Sequence, residues 1–394
     1  MALHGAMTPA LPSKPERRPA RPQFSSGPTV KPPGWSPDTL TDAVLGRSHR
    51  TGPGRARLQE AVSLTREVLE IPADYRIGIT PGSDTGAVEL ALWNLLGGRP
   101  VQLLAYEFFG QEWADDARDH LHLDCEVLSA PFGELSDLSR VRPDADVVFA
   151  WNGTTSGVRV PIADFIAADR TGLTICDATS AAFAQPLEWD KLDVTTFSWQ
   201  KALGGEAAHG MIVMSPRALE RLAGYTPPWP LPKVFRLKTK TGAIDEPFFD
   251  AQTINTPSLL CTEDWIAALK WARDAGGVKG TMARADANAA ALFGWVDRTA
   301  WVAPLAGRPE IASNTSVCLK IVDPDVLALE PDRQKAVAAD IAKLLDAEGV
   351  AFDINAHRAQ PAGLRVWCGS TVDTADIEAL TPWLDWAFAT VKAR

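Results

Sequence analysis

A lysine stands at the end of a segment that is typical of a buried strand. The segment "VTTFSW" (194–199) is followed directly by Gln200, Lys201 and a glycine-rich step. A charged ammonium in apolar surroundings is costly unless its pKa falls or the amine is bound covalently. The local sequence alone is more typical of a lysine at a helix start, whose stem packs while its ammonium reaches water. The ends of the other predicted strands therefore decide between these two interpretations.

The turn after the predicted strand "YRIGIT" (75–80) is a candidate anion site. It contains Ser83, Asp84 and Thr85 and opens the helical segment "PGSDTGAVELALWNLL". Free N–H groups and the helix dipole attract phosphate at a helix N-terminus. An ordinary capped helix explains this turn equally well when the turn is considered alone.

Other predicted strand ends add a carboxylate, aromatic rings and short polar side chains. "LTICD" ends in Asp177, "DVVFAW" is followed by "NGTTSG" with Thr154, and "LLAYEFFGQEW" carries Phe108 and Phe109. Ligands of open α/β sheets bind beyond the carboxyl ends of the strands. Pyridoxal 5′-phosphate needs a lysine for an imine, a carboxylate for its ring nitrogen, an aromatic ring and an anion site. The combined pattern predicts such a site, with Lys201 held as a Schiff base.

The order of predicted elements indicates two domains. From about residue 24 to 270, short apolar runs alternate with helical patterns, which favours an α/β domain with a mostly parallel sheet. The later strands "SVCLKIV", "FDINAH" and "LRVWCG", with two long helices, predict a smaller α+β domain. We expect the large domain at 23–275 and the small C-terminal domain at 276–394. Residues 1–22, rich in proline and basic residues, predict a disordered arm.

Composition and charge argue against several classes of protein. With Lys+Arg 39 and Asp+Glu 49, the net charge of −10 offers no footprint for nucleic acid or an anionic membrane. The five cysteines form no CxxC pair, which suits the reducing cytoplasm and argues against a zinc site or a disulfide scaffold. The longest apolar runs are too short to span a bilayer. We therefore expect a small-molecule site without a metal.

From Phe24 onward the chain resembles the phosphoserine aminotransferases, which are class V, fold-type I pyridoxal-phosphate enzymes. The segments that carry the resemblance are "FSSGPTVKPPGW", "GRSHRTGP", "TPGSDTGAVELALWNLLG", "NGTTSGVRVP", "ICDATSAAF", "SWQKALGGE", "NTPSLLCTED" and "INAHRAQPAGLRVWCG". The wider superfamily shares the pyridoxal residues, whereas two His–Arg pairs and "FSSGP" specify the phosphoserine branch. The resemblance implies a fold-type I transferase with a large and a small domain.

The resemblance also implies roles for individual residues. Lys201 would form the internal aldimine and move the proton, and Asp177 would keep the ring nitrogen protonated. Phe109 is expected to stack on the ring, and Phe108 stays open as the alternative. Asp84 departs from the family pattern, so we expect its backbone N–H to face the phosphate while its carboxylate caps the helix. The full implied cofactor set is Ser83, Asp84, Thr85, Phe109, Thr154, Asp177, Gln200, Lys201, and Asn255 and Thr256 from the neighbouring subunit of a homodimer.

The implied reaction converts phosphoserine and 2-oxoglutarate to 3-phosphohydroxypyruvate and glutamate in serine biosynthesis, and a further use in pyridoxine biosynthesis stays open. Its substrates carry both a carboxylate and a phosphate, which arginine forks bind well. The implied substrate residues are His49 and Arg50 of the partner subunit, with His357, Arg358 and Arg365. The alternative is a serine– or alanine–glyoxylate aminotransferase of class V, which would share the cofactor residues but have no use for a phosphate cluster.

Overall fold

The computed structural model describes residues 12–394, and its largest sheet has seven strands. They are β1 (Arg76–Pro81), β2 (Val101–Ala105), β3 (Cys125–Ser129), β4 (Asp146–Ala150), β5 (Thr174–Asp177), β6 (Val194–Ser198) and β7 (His209–Met214). The strand order is β1-β7-β6-β5-β4-β2-β3. All pairs from β3 to β6 are parallel, and β7 is antiparallel to both of its neighbours. The predicted α/β fold with a mostly parallel sheet is confirmed.

The register of this sheet brings the predicted strand ends to one edge. Asp177 at the end of β5 lies opposite Ala150 of β4 and Thr196 of β6. Every residue of β2, β4 and β6 is buried, as expected for strands covered on both faces. In this sheet, the edge strand β3 has no counterpart among the predicted strands, because its short sequence is half-buried and lacks a continuous apolar run.

Helices cover both the large sheet and a smaller one. They are α1 (Gly52–Val68), α2 (Ser83–Leu95), α3 (Phe108–Asp115), α4 (Pro216–Gly224), α5 (Glu246–Phe249), α6 (Leu259–Asp274), α7 (Gly277–Val296), α8 (Pro324–Leu327), α9 (Pro331–Ala347) and α10 (Thr374–Lys392). Short 3₁₀ and π turns lie at Pro37–Leu40, Asp116–His120, Leu138–Arg140, Trp189–Lys191, Lys233–Phe235 and Pro309–Ile311. Within residues 12–394, no helix combines the length and apolar character that crossing a membrane requires.

The C-terminal part forms the expected smaller α+β unit. Its antiparallel sheet has the order β10-β9-β8, with β8 at Val302–Pro304, β9 at Ser316–Ile321 and β10 at Gly363–Trp367. The prediction of a strand at "FDINAH" is wrong, because Asp353 turns the chain with a φ of 58°. The segment forms isolated β-bridges instead. The predicted division after residue 275 falls between α6 and α7, and it stays a prediction, since α7 contributes to the cores of both parts.

The segment 12–22 is ordered, although it contains no helix or regular strand. Lys14 pairs with Glu348 at 2.7 Å, and the indole N–H of Trp383 donates to a backbone carbonyl of the segment at 2.8 Å. The prediction of a disordered arm is therefore wrong for these residues, because their basic side chains find carboxylates on the C-terminal part. The rest of the predicted arm, residues 1–11, lies outside the described residues.

Candidate active site

Lys201 lies just after β6, deep in the protein at the carboxyl edge of the sheet. Its Nζ donates a hydrogen bond to the carbonyl of Ser26 and lies 6.0 Å from the centre of the Trp367 ring. Burial, and next the charge of Arg365, lower the pKa of Lys201 to about 8. The side chain is only half-buried by surface area because it borders a cavity. No helix begins at Lys201, so the interpretation as a surface lysine at a helix start is wrong.

The cavity beside Lys201 has a volume of about 250 Å³. The predicted cofactor residues that line it are Ser83, Asp84, Thr85, Phe109, Thr154, Asp177, Gln200 and Lys201. Lining residues that the sequence did not single out are Gly27, Glu107, Trp113, Asn152, Thr179, Ser180 and Ser198. The structure thus gathers in one place residues from six separate segments of the chain, which is typical of a ligand site at a sheet edge.

The segment around Gly27 crosses over the lysine. Thr29 donates its N–H to the carbonyl of Gln200 at 3.1 Å and its hydroxyl to the carbonyl of Lys201 at 2.5 Å. Gly27 has a φ of 146°, and a Cβ at this position would overlap Lys201 Nζ. Only glycine therefore fits here. The glycine of the motif "FSSGP" is visible in the sequence, but the neighbouring residues do not show that it faces Lys201.

Asp177 has a donor on each carboxylate oxygen. Oδ1 accepts the N–H of Thr179 at 2.9 Å, and Oδ2 accepts the indole N–H of Trp113 at 3.3 Å. Trp113 follows Phe109 by four residues in α3, so both side chains share one face of the helix and both line the cavity. This spacing could have indicated Trp113 from the sequence.

The two adjacent phenylalanines face different surroundings. Phe109 lines the cavity, whereas Phe108 packs against the ring of His357 at 4.6 Å between ring centres. The guanidinium of Arg358 lies 5.6 Å from the centre of the Phe108 ring. This placement favours Phe109 as the residue that stacks on a bound ring, and it makes Phe108 a support for the His357–Arg358 pair.

The N-terminus of α2 differs from the expected capped helix. The N-cap residue Gly82 precedes the helix with a left-handed φ of 78°, and it has no side chain that could cap the helix N–H groups. The expected capping role of Asp84 is therefore wrong. Its carboxyl group is buried, and neither oxygen has a hydrogen-bond partner among the described residues. Burial, and next the charge of Asp177, raise the pKa of Asp84 well above its ordinary value.

A polar network supports the wall of the cavity around Thr154. The hydroxyl of Thr154 and the amide of Asn152 both donate to the hydroxyl oxygen of Ser180, at 2.8 and 2.9 Å. Nearby, Glu107 accepts the Gly110 N–H at 2.7 Å, and burial raises its pKa to about 7. Thr154 is thus held in one position at the edge of the cavity.

Arg365 approaches the same site from the small sheet. It lies in β10 opposite Cys318, and its buried Nε has no hydrogen-bond partner within residues 12–394. Its charge lowers the pKa of both Lys201 and His357, while burial lowers the pKa of Arg365 itself. Gln360, which the sequence did not indicate, donates to the carbonyl of Thr155 and so ties the loop of His357 to the large sheet.

Seven predicted residues do not line this cavity within one chain, namely His49, Arg50, Asn255, Thr256, His357, Arg358 and Arg365. His357 and Arg358 border a separate cavity of about 160 Å³. His49 and Arg50 lie in the loop before α1, where Arg50 is exposed and His49 is half-buried. Asn255 and Thr256 lie in the loop before α6, and the Asn255 amide donates to the Thr256 carbonyl at 3.2 Å. Their expected contribution from a neighbouring subunit stays a prediction.

The whole chain is similar to known proteins in sequence and in fold. No protein-family model matches it. Two curated relatives named phosphoserine aminotransferase, from Methanosarcina mazei and Methanosarcina barkeri, are 50% and 49% identical over 380 residues, which is 96% of this chain and 100% of each relative. A solved phosphoserine aminotransferase from Cytophaga hutchinsonii has a TM-score of 0.79 at 18% identity and covers 92% of this chain and 98% of its own. One from Bacillus circulans subsp. alkalophilus has a TM-score of 0.75 at 17% identity, covering 93% and 98%. The solved structures share the fold, and the Methanosarcina relatives match along the sequence.

Proposed function

Because the chain belongs to the phosphoserine aminotransferase family, we infer that the cavity around Lys201 is its active site. The protein is a pyridoxal-phosphate-dependent aminotransferase. It transfers the amino group of O-phospho-L-serine reversibly to 2-oxoglutarate, giving 3-phosphohydroxypyruvate and L-glutamate in serine biosynthesis. The observation that carries this assignment is the 50% identity to the Methanosarcina mazei enzyme over 96% of the chain.

The cavity contains the groups that pyridoxal phosphate needs. Lys201 offers an amine of lowered pKa, Asp177 a carboxylate and Phe109 an aromatic face. The uncapped N–H groups of α2 suit the phosphate. Thr154 and Gln200 line the same cavity and would contact the ring substituents. When bound, the cofactor supplies a carbonyl for the amine and an electron sink for the carbanion of the amino acid.

Lys201 would move the proton that transamination requires. Since its pKa is about 8, part of the amine is neutral at pH 7, and Nζ can accept the Cα proton of the amino acid and return it. The Ser26 carbonyl accepts one N–H of Lys201 and so fixes the direction of Nζ. Asp177, held by Thr179 and Trp113, would keep its carboxylate directed at the ring nitrogen.

Recognition of phosphoserine requires cations for both of its anionic ends. Arg365 is half-buried and acts on the charge of the catalytic lysine, and its buried Nε is unpartnered in the described structure, so Arg365 would bind the α-carboxylate. His357 and Arg358 would bind the phosphate. We propose that His49 and Arg50 of a second subunit complete this phosphate site.

The function is tested by comparing amino donors. With purified holoenzyme, phosphoserine and 2-oxoglutarate should give a far higher kcat/KM than serine or alanine with the same acceptor. Removing one charge-assisted hydrogen bond costs about 1.5–3 kcal/mol, so the phosphate should favour phosphoserine by at least about tenfold to a hundredfold. A preference for serine or alanine with glyoxylate would instead support the alternative class V aminotransferase.

The homodimer is tested by mixing two inactive variants. Arg50→Ala and Lys201→Ala subunits should each be inactive alone, whereas a mixed dimer would contain one intact site and recover activity. Arg47→Ala, in the same exposed loop, is the matched control and should be active without mixing. If verified mixed dimers recover nothing, Arg50 does not act across a subunit interface.

Two finer points are also proposals. The scattered cysteines favour a cytoplasmic location, which fractionation of native cells would test. A role in pyridoxine biosynthesis requires 4-phosphohydroxythreonine as a second amino donor, and the same donor comparison tests it.

A further inference from the structure

Two aspartates meet at the bottom of the cavity, and only one of them has the partners that an anion needs. Asp177 accepts N–H groups on both carboxylate oxygens. Asp84 is 6% exposed, and both of its oxygens are buried without a hydrogen-bond partner of good geometry in the described structure. N–H donors stabilise the ionised form of a carboxyl group, so Asp177 is the member of the pair that holds the charge.

The surroundings of Asp84 oppose a second negative charge. Asp177 faces it from β5, and the Thr179 and Thr196 hydroxyls lie close by. Lys201 interacts with Asp84, but burial already shifts this lysine toward the neutral amine. Burial and the Asp177 charge both raise the pKa of Asp84, against smaller opposing effects of the two hydroxyls. Two adjacent buried carboxyl groups do not both ionise.

We propose that Asp84 is a positioning residue that stays protonated and donates its O–H to Asp177, fixing the direction in which that carboxylate points. The proposal rests on the proposed function, since Asp177 is the group assigned to the cofactor nitrogen. It also removes a difficulty at the start of α2. A charged Asp84 would repel a phosphate at this helix N-terminus, whereas a neutral acid leaves the N–H groups and dipole free to bind it.

Three variants separate the possible roles of Asp84. Asp84→Asn keeps the shape, cannot ionise and still offers an N–H to Asp177. Asp84→Leu keeps the volume without a donor. Asp146→Asn is the control, because Asp146 is also buried but accepts N–H groups from Arg221 and Leu173.

Infrared spectra of the apoenzyme give a readout that needs no activity. At about pH 9, where Glu107 with its pKa of about 7 is ionised, the wild type should show the C=O band of a buried carboxylic acid. This band should vanish in Asp84→Asn and persist in Asp146→Asn. A wild-type spectrum without the band, or a band that persists in Asp84→Asn, overturns the proposal.

Melting temperatures of the apoenzymes give a second readout. A carboxyl group whose pKa is raised by folding contributes stability below its unfolded pKa, and loses that contribution as pH rises. The melting temperature of Asp84→Asn should therefore rise relative to that of the wild type as pH rises from about 4 to 8. If the melting temperature of Asp84→Asn instead falls relative to the wild type as pH rises over this range, Asp84 is ionised in the folded protein and the proposal fails.

Cofactor affinity separates positioning from simple packing. Asp84→Asn should bind pyridoxal phosphate within about threefold of the wild type, and Asp84→Leu at least about tenfold more weakly, the loss of roughly one hydrogen bond. Equal affinities of these two variants would overturn the positioning role. The wild type could fail to turn over phosphoserine and still give the expected infrared band and melting temperatures. In that case the proposed function is wrong, but the proposal that Asp84 is protonated beside Asp177 is supported.

Discussion

Lys201 should react with pyridoxal phosphate at a pH where ordinary lysines are almost fully charged. Its pKa is lowered from 10.5 to about 8, first by burial and next by the charge of Arg365. Only the neutral amine attacks a carbonyl group. At pH 7, about one Lys201 amine in ten is then neutral, against about three in ten thousand for an ordinary lysine, a difference of about 300-fold.

Replacing Arg365 tests the physical cause of this shift. Arg365→Gln keeps much of the side-chain shape but removes the positive charge, so the pKa of Lys201 should rise. It should stay below 10.5, because burial is the larger cause and persists. Arg159→Gln is the matched control, since burial also lowers the pKa of Arg159, but this residue does not act on Lys201.

The measurement is the rate at which apoenzyme forms its coloured bond with pyridoxal phosphate, followed in a stopped-flow spectrometer from about pH 6 to 10. The wild type and Arg159→Gln should inflect near pH 8, and Arg365→Gln at a higher pH. A wild-type inflection near 10.5 would refute the lowered pKa. If the inflection of Arg365→Gln lies at the same pH as that of the wild type, burial alone accounts for the lowered pKa of Lys201.

Three more substitutions test separate parts of the site. Asp177→Asn should slow amino-group transfer by about tenfold to a hundredfold with little change in melting temperature; lost stability at a normal rate would make Asp177 a structural residue. Gly27→Ala should impair cofactor incorporation, because its Cβ would overlap Lys201 Nζ, whereas Gly224→Ala, with open space around it, should bind cofactor normally. Phe108→Ala should lower kcat/KM for phosphoserine more than for serine, since Phe108 supports His357 and Arg358; equal losses would contradict this role.

Much of the cavity could be predicted because the carboxyl ends of parallel strands meet at one edge. β5 delivers Asp177 and β6 delivers Lys201 in this way, and the turn after β1 delivers Ser83. Each of these residues follows a buried apolar run that is visible in the sequence. Trp113 could have been added from its helical spacing to Phe109.

The rest depends on contacts between distant parts of the chain. Ser26 faces Lys201, and Gln360 reaches Thr155, with nothing in either local sequence to show the partner. The prediction of disorder for 12–22 failed for the same reason, because composition describes a segment by itself. Asp84 was assigned to the helix cap since aspartate favours that position, but the left-handed Gly82 removes the cap geometry.

The crossing of Ser26 over Lys201 has a consequence for synthesis on the ribosome. Phe24 packs in the core formed by the C-terminal helices, and its carbonyl accepts the N–H of Trp367 at 3.0 Å. At about 5–20 residues per second, roughly 20 to 70 seconds separate the synthesis of these two residues. The strands of the large sheet are complete on the nascent chain before that partner exists. One of the contacts that hold the Ser26 segment over the catalytic lysine can therefore form only when translation is nearly finished, so we expect the active site to be completed after the large sheet has been synthesised.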